Sequence, residues 1–321
     1  MDAAMSLPLA ITSRVCAFAL LAVCTHACAQ AIAYVPNERS GTISLIDTRT
    51  DEVVGEIKGV NRPRGLAASR DGRQLYVTSQ PRSVVAVDLT ARRVASSITV
   101  GDSPEGASAS PDGRWIAVAV EDTQSVALVD TATNALAGEI KVQGKNPEHA
   151  VFSPDGKWLY VSSEDGETVD VIDVASRQQV GAITVGRRPR GMAFTPDSRV
   201  AYVACEIAST VYAIDVAQRA VIATIKAGEF TNGVAMRPDG MRVYVSNGRS
   251  GSVSAIDTAS NQVVATVPVG QRPWNMALTP DGSKLYVANG RSNSVSVIDT
   301  ATNTRLKDIA VGELPWGVAV R

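Results

Sequence analysis

Glu105, Glu148 and His149 are the residues of this chain whose types and placement could carry acid–base chemistry. Two neighbouring carboxylates can divide the roles of acid and base between them. A histidine beside them adds a group that titrates near neutrality, and the same trio could ligate a metal ion. The two glutamates stand 43 residues apart, so no local element brings them together. Each directly follows a proline, Pro104 and Pro147, and that position recurs along the chain. Read in order it holds Arg64, Glu105, Glu148, Arg190, Asn232, Trp274 and Trp316, at intervals of 41 to 43 residues. The carboxylates are thus flanked by two arginines that can pair with them. Trp274 and Trp316 fall in adjacent units, where they could stack on a flat ligand, anchor a partner or plug a channel. Arg62, Arg187, Arg188 and Arg272 add positive charge nearby, while Glu38, Glu121, Asp122, Glu164, Asp165, Glu206 and Glu229 dilute it. Only one other histidine exists, His26, near the N-terminus. There is no Gly-x-Ser-x-Gly elbow and no Cys–His metal spacing. No metal centre and no cofactor is expected.

What must position these residues is a repeat. An apolar residue followed by Asp recurs at Asp47, Asp88, Asp130, Asp173, Asp215, Asp257 and Asp299. A Tyr-Val pair precedes most of them, at Tyr34, Tyr76, Tyr160, Tyr202, Tyr244 and Tyr286, with Ala117-Val118 in the third unit. Pro-x-Gly, or a variant of it, opens a third landmark at Pro63, Pro104, Pro147, Pro189, Thr231, Pro273 and Pro315. Turn-forming Asp-Gly or Asp-Ser pairs follow six of these. In the last full unit, strands are predicted over 276–279, 285–288, 295–298 and 306–311, with Pro280-Asp281-Gly282 as a tight turn. Val, Ile and Tyr fill the strands, and no window has a helical period. Four antiparallel strands in about 42 residues make one propeller blade. The fold class is therefore all-β, a seven-bladed β-propeller of four-stranded blades. The seventh blade is to be completed by the C-terminal strand, within 314–321, pairing with the N-terminal strands, which removes the open edges. The seven Asp residues read as caps of their own turns rather than a calcium set.

The N-terminus reads separately. Arg14, an apolar run over 15–23 and Ala27-Cys28-Ala29 describe a secretory signal peptide over 1–29, leaving one propeller domain over 30–321. The apolar run is too short for a transmembrane helix. The expected location is the periplasm. Three of four cysteines lie in that leader; Cys205 remains, read as a small buried hydrophobe. A formal net charge of −1 gives no support for a strongly basic nucleic-acid surface. A closed ring needs no second copy for stability, so a monomer is expected.

Tyr34-Val35-Pro36-Asn37, Tyr76-Val77-Thr78-Ser79, Tyr244-Val245-Ser246-Asn247 and Tyr286-Val287-Ala288-Asn289 resemble the second strand of the YVTN-repeat propellers. The resemblance covers about 31–321. With its leader and seven units, the chain looks most like the periplasmic propellers associated with PQQ-dependent catabolism; YncE-type propellers are the near alternative. That likeness implies a non-catalytic binding or interaction propeller, accessory to PQQ-linked alcohol oxidation. It would bind a small molecule or a periplasmic protein through the channel-mouth residues Arg64, Glu105, Glu148, Arg190, Asn232, Trp274 and Trp316. A first alternative is a lactonase- or isomerase-like enzyme using Glu105 or Glu148, with His149 beside them. A second is nucleic-acid binding of the YncE kind.

Overall fold

The computed structural model describes residues 1–2 and 31–321. The expected signal peptide lies largely outside the described residues. No helix among them is long and apolar enough to cross a membrane.

Residues 31–321 form seven four-stranded antiparallel sheets. In the second blade the strands are Pro63–Ala68, Gln74–Ser79, Ser83–Asp88 and Arg93–Thr99, paired in that order. The same pattern repeats over 104–141, 147–184, 189–226, 231–268 and 273–310. The blade nearest the N-terminus uses Ile32–Asn37, Thr42–Asp47 and Glu52–Lys58 as its second to fourth strands, and its first, innermost strand is Ala319–Val320. The closure follows the expected pairing, with Ala33 opposite Val320 and Tyr34 opposite Ala319. The regular strand is only two residues long; Pro315 adds a single bridge to Asn37.

First strands touch one another around the ring and define the central channel. Second and third strands are buried on both faces, because each sheet is sandwiched between neighbours. This is why both strand faces are apolar rather than alternating. Fourth strands are mostly exposed at the rim, as over 93–99, where exposed and half-buried residues alternate and only Ile98 is buried. All seven landmark Asp residues accept a backbone N–H from their own turn, for example Asp88 from Thr90 at 2.8 Å and Asp299 from Thr302 at 2.8 Å. Cys205 is buried, and burial pushes its thiol up to about 12, so it stays protonated and inert. Trp115 and Trp158 carry arginine guanidinium groups over their rings and belong to the blade packing.

Candidate functional site

In every blade the residue just before the first strand adopts a left-handed backbone. These are Arg62, Ser103, Asn146, Arg188, Phe230, Arg272 and Leu314, with φ from 40° to 62°. The shared kink sets the next two residues at the same height in all seven blades. Arg64, Glu105, Glu148, Arg190, Asn232, Trp274 and Trp316 accordingly line one cavity of about 240 Å³ at the channel mouth.

A second ring joins them from the residue that follows each second strand: Glu38, Gln80, Glu121, Glu164, Glu206, Gly248 and Gly290. From the sequence, Glu38, Glu121, Glu164 and Glu206 are expected only to spread negative charge over the same face. The structure instead turns them inward; Glu38 and Glu164 are 6% exposed and Glu206 is 1% exposed. Their common register was the available signal, since they recur with the period of the repeat.

The charges sort into two clusters. In one, Arg64 binds Glu105 through Nη1 and Glu38 through Nη2 at 3.1 Å, and Arg62 reaches Glu38 at 2.8 Å. In the other, Arg190 is surrounded by three carboxylates. Its Nη1 lies 2.5 Å from Glu148 and 2.6 Å from Glu164, and its Nε lies 3.0 Å from Glu206. Arg188 braces Glu164 at 3.0 Å, and Arg272 braces Glu206 at 2.5 Å. Glu121, Glu148 and Glu164 bring carboxylate oxygens within 4.8 Å of one another. A guanidinium already supplies the positive charge at that point.

Crowding drives the proton affinities apart. Burial raises Glu148, but the charge and hydrogen bond of Arg190, with Arg64, outweigh it and hold its carboxyl below the usual range. Glu105 lies against Arg64, yet burial and the charge of Glu148 prevail and push it up to about 9. Burial and Glu148 also push Glu164 up to about 7 and raise Glu121. Of the three, Glu148 therefore ionises most readily, Glu105 holds its proton most tightly and Glu164 lies between them. Neighbouring carboxyls with separated affinities are the usual basis of acid and base roles.

His149 does not join this group, which corrects the expectation that it sits beside the glutamates at the mouth. It is the next residue along an extended strand, so its side chain departs from that of Glu148. It lines a second chamber of about 160 Å³, which shares Arg64, Asn275 and Trp316 with the mouth cavity. Its ring stacks on Trp316, with centroids 5.7 Å apart and planes at 19°. Gly106 makes room for it; a Cβ there would come within 2.6 Å of the imidazole. Burial lowers the affinity of His149 for a proton, so the ring is neutral. Trp274 packs instead over Gly290, and the two indoles make no ring contact with each other among the described residues. Asn232 is buried at the cavity wall.

A family model described as "Lactonase, 7-bladed beta-propeller" matches residues 31–310. No curated protein sequence matches the chain. Among solved structures, hydrazine synthase of Kuenenia stuttgartiensis is 27% identical, covering 84% of this chain and 92% of that one, with a TM-score of 0.77. The periplasmic gluconolactonase PpgL of Pseudomonas aeruginosa is 21% identical over 90% of this chain and 98% of its own, with a TM-score of 0.78. A putative 6-phosphogluconolactonase of Bacteroides uniformis is 20% identical over 91% and 99%, with a TM-score of 0.77. These last two likenesses bear on the fold. The family match overturns the main functional expectation, a non-catalytic binding propeller serving PQQ-linked oxidation, and favours the enzymatic alternative. The residues were visible in the sequence, but the buried acid ring that gives them unequal proton affinities was not.

Proposed function

The chain belongs to the seven-bladed β-propeller lactonase family, and from this premise we propose that it is a lactonase whose reaction takes place at the channel mouth. The observation that carries the reading is the trio Glu105, Glu148 and Glu164 in one cavity with separated proton affinities. Glu164, near 7, has the basicity to take a proton from water at neutral pH. The resulting hydroxide attacks the lactone carbonyl carbon. Charge develops on the carbonyl oxygen, where Arg64 and Arg190 supply positive potential and protonated Glu105 can donate a hydrogen bond. Collapse breaks the bond to the ring oxygen, which takes the proton held by Glu164 and leaves as the hydroxyl of the open hydroxy acid. Glu148 remains an anion throughout and holds Arg190 in place.

A periplasmic location is part of this proposal. It rests on the leader-like N-terminus and on the likeness to a periplasmic gluconolactonase. So does action as a monomer, which the closed ring supports.

A pH-stat assay on a panel of aldonolactones tests the reading, with spontaneous opening subtracted. kcat/KM should rise with pH through about 7, as Glu164 ionises, and fall near 9, as Glu105 loses its proton. Glu164→Gln should remove the lower limb and cost at least about a hundredfold in rate. A wild-type protein that opens no lactone faster than buffer, or a Glu164→Gln variant with full activity, would overturn it.

A further inference from the structure

The third residue of each first strand sets a narrower level of the channel, below the mouth. Five blades place glycine there: Gly65, Gly106, Gly191, Gly233 and Gly317. First strands approach so closely at this level that a Cβ on Gly65 would strike the Glu105 carbonyl, and one on Gly233 the Trp274 carbonyl. The two exceptions are His149 and Asn275. They belong to blades three places apart in a ring of seven, as far apart as the ring allows. Yet the two side chains meet, and the hydrogen bond from Asn275 raises the proton affinity of the imidazole. A bond with that effect has the imidazole as donor and the amide oxygen as acceptor. His149 Nδ1 has no partner among the described residues, so Nε2 makes the contact. Trp316 stacks on the same imidazole from a third blade. Together these side chains separate the mouth from the chamber of about 160 Å³.

The two compartments differ in chemistry. Five glutamates line the mouth, and none lines the chamber. The chamber wall is formed by Leu66, Ala107, Val151, Met192, Trp316 and Val318, with glycine backbone between them. Of its polar residues, Arg64 is held by Glu38 and Glu105, and the His149 N–H is held by Asn275. Asn275 differs. With its oxygen on His149, its Nδ2 keeps two N–H donors that meet no acceptor among the described residues. Asn275 lines both compartments, so these donors stand at their junction. An apolar void of about 150 Å³ admits a guest the size of benzene. A charged group in the chamber would meet no free counter-charge, whereas an apolar one gains by leaving water. The fitting guest therefore has an apolar body and one acceptor oxygen beside it.

We propose that the chamber is a pocket for a short alkyl group, and that a carbonyl oxygen next to that group accepts a hydrogen bond from Asn275 Nδ2. In the reaction, the alkyl group is a substituent on the lactone ring. This second statement rests on the lactonase reading; the first does not.

Cyclopentanone and its α-propyl derivative test the pocket without reference to catalysis, because they carry the carbonyl and lack the scissile bond. Heteronuclear NMR titration of the purified protein follows the Trp316 indole N–H and the Asn275 side-chain amide. The propyl ketone should shift both signals and bind at least about tenfold more tightly than its parent. Ala107→Leu, which fills the chamber, should bring the ratio of the two affinities to about one. Its melting temperature checks that it folds. Leu66→Ala enlarges the chamber instead, and should raise the affinity for an α-pentyl ketone relative to the propyl one. Asn275→Ala should weaken both original ketones at least about threefold. Equal affinity for both ketones in the wild type, or ratios that neither chamber substitution moves, would overturn the pocket; an Asn275→Ala protein that binds like the wild type would overturn the donor. Kinetics on a γ-lactone with and without a propyl substituent then test the substrate class: a higher kcat/KM for the propyl lactone is expected, and equal values refute it. Ketone binding without opening of any lactone would leave the pocket standing and remove the lactonase reading. Lactone opening with no alkyl preference in either assay would do the reverse.

Discussion

At the scale of single residues, Glu105 makes the sharpest thermodynamic statement. Folding places it 2% exposed, near the charge of Glu148, and its proton is then held up to about 9. In the unfolded chain a glutamate releases its proton near about 4.3. Between those values the folded state binds more protons than the unfolded state, so stability falls as pH rises. The contribution is fully present below the unfolded pKa and is lost as pH climbs through about 9. Glu105→Gln keeps the shape and cannot titrate. The wild type should therefore lose melting temperature relative to Glu105→Gln steadily from pH 5 to pH 9, by thermal denaturation in matched buffers. A gap that stays constant over that range would mean that Arg64 keeps Glu105 ionised throughout. The same measurement bears on catalysis, because only a protonated Glu105 can donate to a developing oxyanion.

At the scale of elements, the blades are clasped by one recurring contact. The second-strand tyrosine reaches the left-handed residue in the turn of the following blade. Tyr76 donates to Asn134 and Tyr202 to Asn261, both at 2.7 Å; Tyr244 donates to Asn303 at 3.2 Å, and Tyr286 to Asp51. Asn and Asp suit both needs there, since they tolerate positive φ and offer an acceptor. Where the turn carries Arg219, with φ of 52°, the Tyr160 hydroxyl finds no acceptor among the described residues. Tyr202→Phe should thus cost about 1 kcal/mol in chemical denaturation and Tyr160→Phe close to nothing; equal losses would refute the clasp. The strands and blade count were legible in the sequence because Asp, Tyr-Val and Pro-x-Gly recur with one period. The seven mouth residues, six of them after a proline and Asn232 after Thr231, were legible for the same reason. Less legible was the direction in which a residue at a strand end turns. Glu164 and Asp165 look alike in the sequence, yet Glu164 is buried in the mouth while Asp165 stays outside, bonded to Asn146. Nor does adjacency reveal that Glu148 and His149 enter different chambers.

At the scale of the whole molecule, the ring is a single cooperative closure, and its weakest seam is the shared blade. There the innermost strand is two residues long. The seam is reinforced outside the regular strand: Trp316 N donates to Pro36 O at 2.9 Å, Glu38 N to Leu314 O at 2.9 Å, and Arg321 N to Ile32 O at 2.9 Å. Arg321 also donates from Nη2 to the Ser69 and Arg70 carbonyls at 3.0 Å, tying the seam to the next blade. Glu38 is a mouth residue, so closure and site share the same backbone. Removing 314–321 strips buried Val318, the Trp316 wall and these bonds, on the order of 5 kcal/mol. For a chain of this size that should lower the melting temperature by more than about 10 °C. Truncation alone does not separate lost closure from lost residues, but a circular permutant does. The ends of the described propeller adjoin, since Ile32 and Arg321 exchange backbone bonds, so a short linker can join 321 to 31. New ends cut at the exposed turn 259–260 would leave the ring to be closed by strand Gln262–Pro268 against Ser252–Asp257. That pairing is six residues long, three times the native seam. The permutant should melt at or above the wild type and keep the mouth intact. A permutant that melts as low as the truncated chain would show that continuity of the shared blade, rather than pairing across it, holds the propeller closed.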